Sequence, residues 1–243
     1  MTMKPIWTIA KRELGAFFDS LTAYILLVLF LGLSGFFTWI AVFDVFLSKQ
    51  ASLRPFFSIA YWSLFFFIPA ITMRMIAEER RSGTLELLLT KSVTARQVVL
   101  GKFMGGLMLI TIALLFTIPF VITIANIGDL DAGATFSGYL ALFLMSAAYL
   151  GIGLLASSLT DNQIVAFLLA LAIGILFHWV AGIIASSSTG FIANFFGGLH
   201  MGYHFESMAR GVIDLKDVIY FLSFALGGTF LSEILLNKHN ITN

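Results

Sequence analysis

The chain has 243 residues, 59% of them hydrophobic and only 11% charged, with a net charge of +1; soluble domains usually carry about 25% charged residues. So few charges cannot cover a soluble surface, and a near-neutral chain without a basic field excludes nucleic acid as a partner. Cysteine is absent, which excludes disulfides, thiolate metal sites and a cysteine nucleophile.

At the amino terminus Ile6, Trp7, Ala10, Leu14, Phe17 and Phe18 share one side of a helical wheel, with Lys4, Lys11, Arg12 and Asp19 mostly opposite. This predicts an amphipathic helix over 4–19 lying in the inner membrane interface, with Trp7, Lys11, Arg12 and Glu13 at the lipid headgroups. The alternative is a plain extension of the first span. Lys4, Lys11, Arg12 and Glu13 precede an apolar run of full spanning length, so no cleaved signal peptide is expected.

Uncharged runs of about 20 residues, the length a helix needs to cross ~30 Å of hydrocarbon, predict six spans at about 22–43, 56–77, 103–125, 136–157, 164–184 and 218–236. The expected fold is all-α and polytopic, a single membrane domain over 1–243. With the N-terminus inside, ten of the fourteen Lys and Arg residues fall on inner segments, whereas the 126–135 loop holds Asp129 and Asp131 and no basic residue. The positive-inside rule therefore puts both termini in the cytoplasm. The long segment 185–217 carries Phe191, Ile192, Phe195, Phe196, Phe205 and Met208, which predicts an outer re-entrant or interfacial hairpin that buries these side chains.

The most informative stretch is the inner loop 78–102. It opens Glu78-Glu79-Arg80-Arg81-Ser82-Gly83-Thr84 and continues Leu85-Glu86-Leu87-Leu88-Leu89. Gly83 can break the helix leaving span 2, Ser82 or Thr84 can cap a short new one, and its leucines need a partner surface. Thr94 and Gln97 have capping-box spacing for the helix that runs through Gly101 and Lys102 into span 3. Glu78 to Arg81 taken alone read better as an ordinary solvated membrane-edge cluster.

Taken whole, Glu-Arg, then Gly-Thr-Leu-Glu with Leu-Leu, then Gly-Lys before a span resembles the first cytoplasmic loop of ABC-2 type transporter permeases, where a coupling helix meets the ATPase. Lys11-Arg12-Glu13-Leu14 with Phe18, Ser20 and Ala23-Tyr24 is similar to the opening of permeases from the gliding-motility branch of that family. Ser92 departs from the proline that often follows the leucine-rich helix. The resemblance implies a docking surface over 82–91, with Glu78, Glu79, Arg80 and Arg81 anchoring or pairing with the partner. It also implies a bacterial inner-membrane location, a separate ABC ATPase that carries ATP and Mg, a second permease chain in a homodimer or heterodimer, and room for an outer accessory or binding subunit. No phosphate-binding loop of the Gly-Lys-Ser/Thr kind is present, because Gly101-Lys102 runs into Phe103. This chain is thus expected to hold no cofactor and to hydrolyse no ATP by itself.

Rival readings are an ion-coupled secondary transporter or channel, and a rhomboid-like serine protease using Ser34 of Gly-x-Ser-Gly with His178 as base. The first is short of ionisable residues at the span centres, where only His178 stands; the second places its serine too early, in span 1. Glu233, near the inner end of span 6, is a candidate inner-gate partner for a basic loop residue. His200 and His204 lie one helical turn apart, a weak metal signal without a His-Glu-x-x-His motif. The Asn240-Ile241-Thr242 glycosylation pattern falls in the predicted cytoplasmic tail. Phe65, Phe66 and Phe67 read as lipid-facing.

Overall fold

The computed structural model describes residues 3–40, 52–84 and 93–242, with side chains through Lys238. Among these residues there are helices and turns and no strand. Six helical stretches are long and apolar enough to cross a membrane: Thr22–Trp39, Arg54–Arg81, Ala95–Ile127, Ala132–Leu159, Gln163–Ser187 and Leu215–Lys238. An extra helix precedes them and further helices lie before the last span. The chain is an all-α, polytopic membrane protein.

Helix α1 (Lys4–Asp19) stops before α2 (Thr22–Trp39), the first span. Leu21 between them takes a left-handed conformation, φ 55°, which no continuous helix contains. The first helix is therefore a separate element and not an extension of the span.

Span 2 is α3 (Arg54–Thr72), a turn at 73–76, and the short α4 (Ala77–Arg81). The break is held from outside the helix. The Ser157 hydroxyl accepts from the amides of Ile76 (3.1 Å) and Ala77 (3.0 Å) and donates to the Met73 carbonyl. A side chain inserted into the hydrogen-bond ladder is a recognised cause of a sharp helix bend. Gly83, at φ +70°, then ends the inner extension as expected.

Span 3 is α5 (Ala95–Leu115) followed after a bend by α6 (Ile118–Ile127). Pro119 cannot donate to the ladder, and Thr117 takes up the loose end: its hydroxyl donates to Leu114 O at 2.6 Å and meets the Tyr139 hydroxyl at 2.8 Å. The capping box at the start of α5 is formed, with Gln97 N–H to Thr94 Oγ1 and Thr94 N–H to Gln97 Oε1.

Span 4, α7 (Ala132–Leu159), is the central post. It is buried along 83% of its most apolar stretch, against 56% or less in the other spans. Small residues make this possible, since between membrane helices close backbone approach and packing replace the hydrophobic drive. Gly151 lies against the backbone of Phe224 and Ala225 on the last helix, α12 (Leu215–Thr242), and Gly228 returns the contact. Gly138 receives the ring of Phe57, and Gly153 receives Thr72.

Span 5 is α8 (Gln163–Ile175), a π-turn (Leu176–Val180) and α9 (Ala181–Ser187). The chain then reverses into α10 (Gly190–Leu199) against α9, and α11 (Met201–Ala209) packs on span 4. The outer segment is helical, as expected, but only partly buried. Phe205 and Met208 enter the core, whereas Phe191, Ile192 and Phe195 are exposed. The reason is geometric: α10 packs along α9, is tied to α11 and α12 only at its C-terminal end through Gly198 and Leu199, and turns its other side outward. A second correction concerns Phe65, which is buried among Tyr149, His178 and Trp62; of the Phe65–Phe67 run only Phe66 is largely exposed.

Candidate functional site

The charged residues of α1, α4 and α5 converge at one end of the bundle. Lys102, about one and a half helical turns past Gln97, is only 1% exposed, and its Nζ lies 2.9 Å from Glu79 Oε1 and 3.1 Å from Glu13 Oε1. Arg12 reaches the same two oxygens, at 3.0 and 2.8 Å. Two cations thus share two carboxylates drawn from three separate elements. Burial pulls Arg12 down, but Glu13 and Glu79 outweigh it and hold the guanidinium above its usual value. Beside the cluster Arg74 pairs with Glu78 at 3.3 Å and donates to Thr22 at 2.8 Å, which joins the start of span 1 to the same junction.

Glycine is what lets α1 come so close. A Cβ at Gly101 would stand 2.6 Å from Ile9, and one at Gly105 would stand 2.7 Å from the Glu13 side chain. The two are a small-x-x-x-small pair on α5, which seats the Ile6, Ile9, Ala10 and Glu13 side of α1. This refines the expected interfacial helix. Its inner face is covered by protein, not lipid, and Phe17 is buried with it while Phe18 is partly so. Trp7 remains 48% exposed with the Lys11 ammonium 5.4 Å above its ring, the arrangement suited to a headgroup boundary.

Arg80 Nε and Glu79 Oε2 are buried without a hydrogen-bond partner among the described residues. Arg81, Ser82, Gly83 and Thr84 are exposed at the tip. Leu85, Glu86, Leu87, Leu88 and Leu89 lie outside the described residues, and with them the expected short helix. Across the junction Glu233 Oε2 stands 3.9 Å from Arg96 Nε, so the inner end of span 6 faces the start of span 3.

The description "ABC-2 family transporter protein" belongs to a family model that matches residues 7–197, from α1 through most of α10. The chain belongs to the ABC-2 transporter family. Membership makes the chain a membrane permease of the ABC transporter kind, a family that in general works with an ABC ATPase. No curated relative matches the chain.

The other residues singled out in this ABC-2 permease are engaged elsewhere. Ser34 is buried and donates to Phe30 O at 2.6 Å within its own helix. The π-turn carries His178, whose Nδ1 meets the hydroxyls of Tyr61 (2.9 Å) and Tyr149 (3.0 Å), with the ring stacked on Tyr61. Among the described residues the two make no contact, so no serine–histidine pair forms. His200 Nδ1 accepts the Tyr203 amide and caps α11, while His204 joins Asp217 (2.7 Å) to the carbonyl of Gly198. No group of three or more metal-ligating side chains gathers among the described residues.

Lys102 was not legible as a site residue. A lysine two turns inside an apolar helix demands a buried acid, and Gly101-x-x-x-Gly105 marks where another helix approaches; those two signals together call for an acid on an approaching helix, and the fold supplies it as Glu13.

Proposed function

We propose that this permease couples ATP hydrolysis in a separate ABC ATPase to movement of its spans through the inner loop 78–102, with the 82–91 segment as the docking surface. The carrying observation is the junction around Lys102, which fastens α4 and the start of span 3 to α1 by buried charge. A push on the 82–91 tip would reach spans 2 and 3 directly and α1 with them, since the cluster leaves little slack between the three elements. Glu78, Glu79, Arg80 and Arg81 form the base of the tip. Arg81, Ser82, Gly83 and Thr84, exposed just beyond that base, are groups that the partner can reach.

In this reading ATP and Mg are held by the partner, and two permease chains, identical or different, enclose the path, with room for an outer accessory subunit. Both termini lie in the cytoplasm of a bacterial inner-membrane protein, as the basic residues of the Lys102 end favour. Glu233 with Arg96 forms an inner gate between spans 6 and 3. The similarity of 11–24 to gliding-motility permeases supports a role in surface gliding or in export that serves it.

The test is mild-detergent purification of the tagged chain from its native membrane, with mass spectrometry and an ATPase assay. A Walker-type ATPase that co-purifies with the native chain and is lost on alanine replacement of Glu86, Leu87 and Leu88 supports the reading. An ATPase that stays bound and fully active with those variants contradicts it.

A further inference from the structure

The end of the bundle opposite Lys102 holds a second charged site, built differently. Arg54 at the start of α3, Asp129 and Asp131 before α7, and Arg210 after α11 line one depression of about 310 Å³. Asp131 is spent on capping the Ala134 amide (3.0 Å), and Arg210 Nε donates to the Glu206 carbonyl (3.1 Å). The Arg54 guanidinium and the Asp129 carboxylate have no ion pair or hydrogen bond with another described residue. The depression therefore offers both guanidinium donors and a carboxylate acceptor.

Leu130 and Thr135 also line a second hollow, an open apolar groove of about 540 Å³ between spans 3 and 4. Its origin is the bend at Thr117: α5 packs along α7, but past Pro119 α6 stands away from it. Leu114, Ile118 and Val121 form one wall and Phe136, Leu140 and Phe143 the other. From Ala132 to Phe143 the groove wall rises about 16 Å, close to half of the ~30 Å hydrocarbon core. The polar depression thus sits at the membrane surface and the apolar groove runs one leaflet deep beneath it, the layout of a single lipid molecule.

We propose that this is a binding site for one zwitterionic glycerophospholipid bearing a primary ammonium. The guanidiniums of Arg54 and Arg210 take the phosphate, where charge-assisted bonds are strongest. Asp129 accepts from the ammonium, and an acyl chain lies in the groove of spans 3 and 4. The proposal is independent of the ATPase reading, because a permease without any ATPase would still hold the lipid.

The test uses the full-length chain, stripped of lipid in mild detergent and titrated in native mass spectrometry with phosphatidylethanolamine, phosphatidylcholine or phosphatidylglycerol. One phosphatidylethanolamine per chain is expected, at least tenfold tighter than the other two. Arg54→Gln with Arg210→Gln should weaken all three phospholipids at least tenfold. Asp129→Asn should abolish the preference for phosphatidylethanolamine over phosphatidylcholine. Ile118→Trp, an exposed position on the groove wall, should reduce binding of diacyl lipid while sparing glycerophosphoethanolamine. All four side chains are exposed, and unchanged melting temperatures would show that the variants fold. Equal binding of the three lipids, or binding indifferent to these changes, overturns the proposal and leaves ordinary annular lipid.

Discussion

The ammonium of Lys102 and the carboxylate of Glu79 meet at 2.9 Å in a place where the lysine is almost wholly buried. Breaking a buried pair by deleting one partner leaves an uncompensated charge and costs about 3–5 kcal/mol. Lys102→Ala should therefore lower the melting temperature clearly in detergent. A double-mutant cycle with Glu79→Ala should show strong coupling, because Arg12 can serve only part of the acid left behind. Additive losses would contradict a shared cluster.

The seat of α1 on α5 makes a steric prediction. Gly101→Val and Gly105→Val each place atoms into the Ile9 and Glu13 positions, and overpacking of that kind costs roughly 1–3 kcal/mol. Limited trypsin digestion should then cut at Lys11 and Arg12 faster than in the native chain. Gly15→Ala is the control. Nothing lies within 4 Å of its would-be Cβ, and alanine favours the helix by about 0.5–1 kcal/mol.

The His178 pocket tests non-additivity within the membrane. Two tyrosine hydroxyls converge on one nitrogen, so either Tyr61→Phe or Tyr149→Phe leaves a partner in place and should cost about 1 kcal/mol or less. The double variant orphans a buried ring nitrogen and should cost more than the sum, read as unfolding midpoints in denaturant.

His200 gives a pH dependence outside the spans. Burial lowers it from its ordinary value of 6.5, against the opposing pull of its bond to the His178 backbone and of Glu206. The folded state then binds protons less readily than the unfolded one, so this contribution to stability is complete above about pH 6.5 and is lost as the pH falls below it. Protonation also removes the acceptor that caps Tyr203. His200→Gln should flatten the fall in melting temperature between neutral and mildly acidic pH; an unchanged slope would assign it to another group.

Arg96 and Glu233, 3.9 Å apart and partly exposed, should contribute no more than about 1 kcal/mol to stability. Their proposed gating role predicts a different signature. Arg96→Glu and Glu233→Arg should each change transporter-linked ATPase activity with little change in melting temperature, and the double swap should restore it. Parallel loss of both properties would make the pair merely structural.

What was legible in the chain follows from the range of the interactions. The six spans, the capping box of Thr94 and Gln97, and the break at Gly83 depend on neighbours within a few residues, and each stands where its local chemistry puts it. Ser157 holding the turn at 73–76, Tyr61 and Tyr149 on His178, and Glu13 on Lys102 join residues far apart in the chain, and no periodicity carries that information. Phe65 shows the limit well: in a run of three phenylalanines, composition cannot tell the ring that packs on His178 from the one facing outward. Phe191, Ile192 and Phe195 failed in the opposite sense, because aromatic content marks an apolar environment and lipid supplies one as readily as protein.

The most direct test of the coupling claim is site-specific photocrosslinking in the native membrane, with a photoreactive residue placed in turn at Thr84, Leu87 and, as a control at the other end, Asp129. Adducts with a Walker-type ATPase from Thr84 and Leu87 but not from Asp129 are predicted. Absence of any ATPase adduct from the 82–91 tip, or adducts from Asp129 instead, would contradict it.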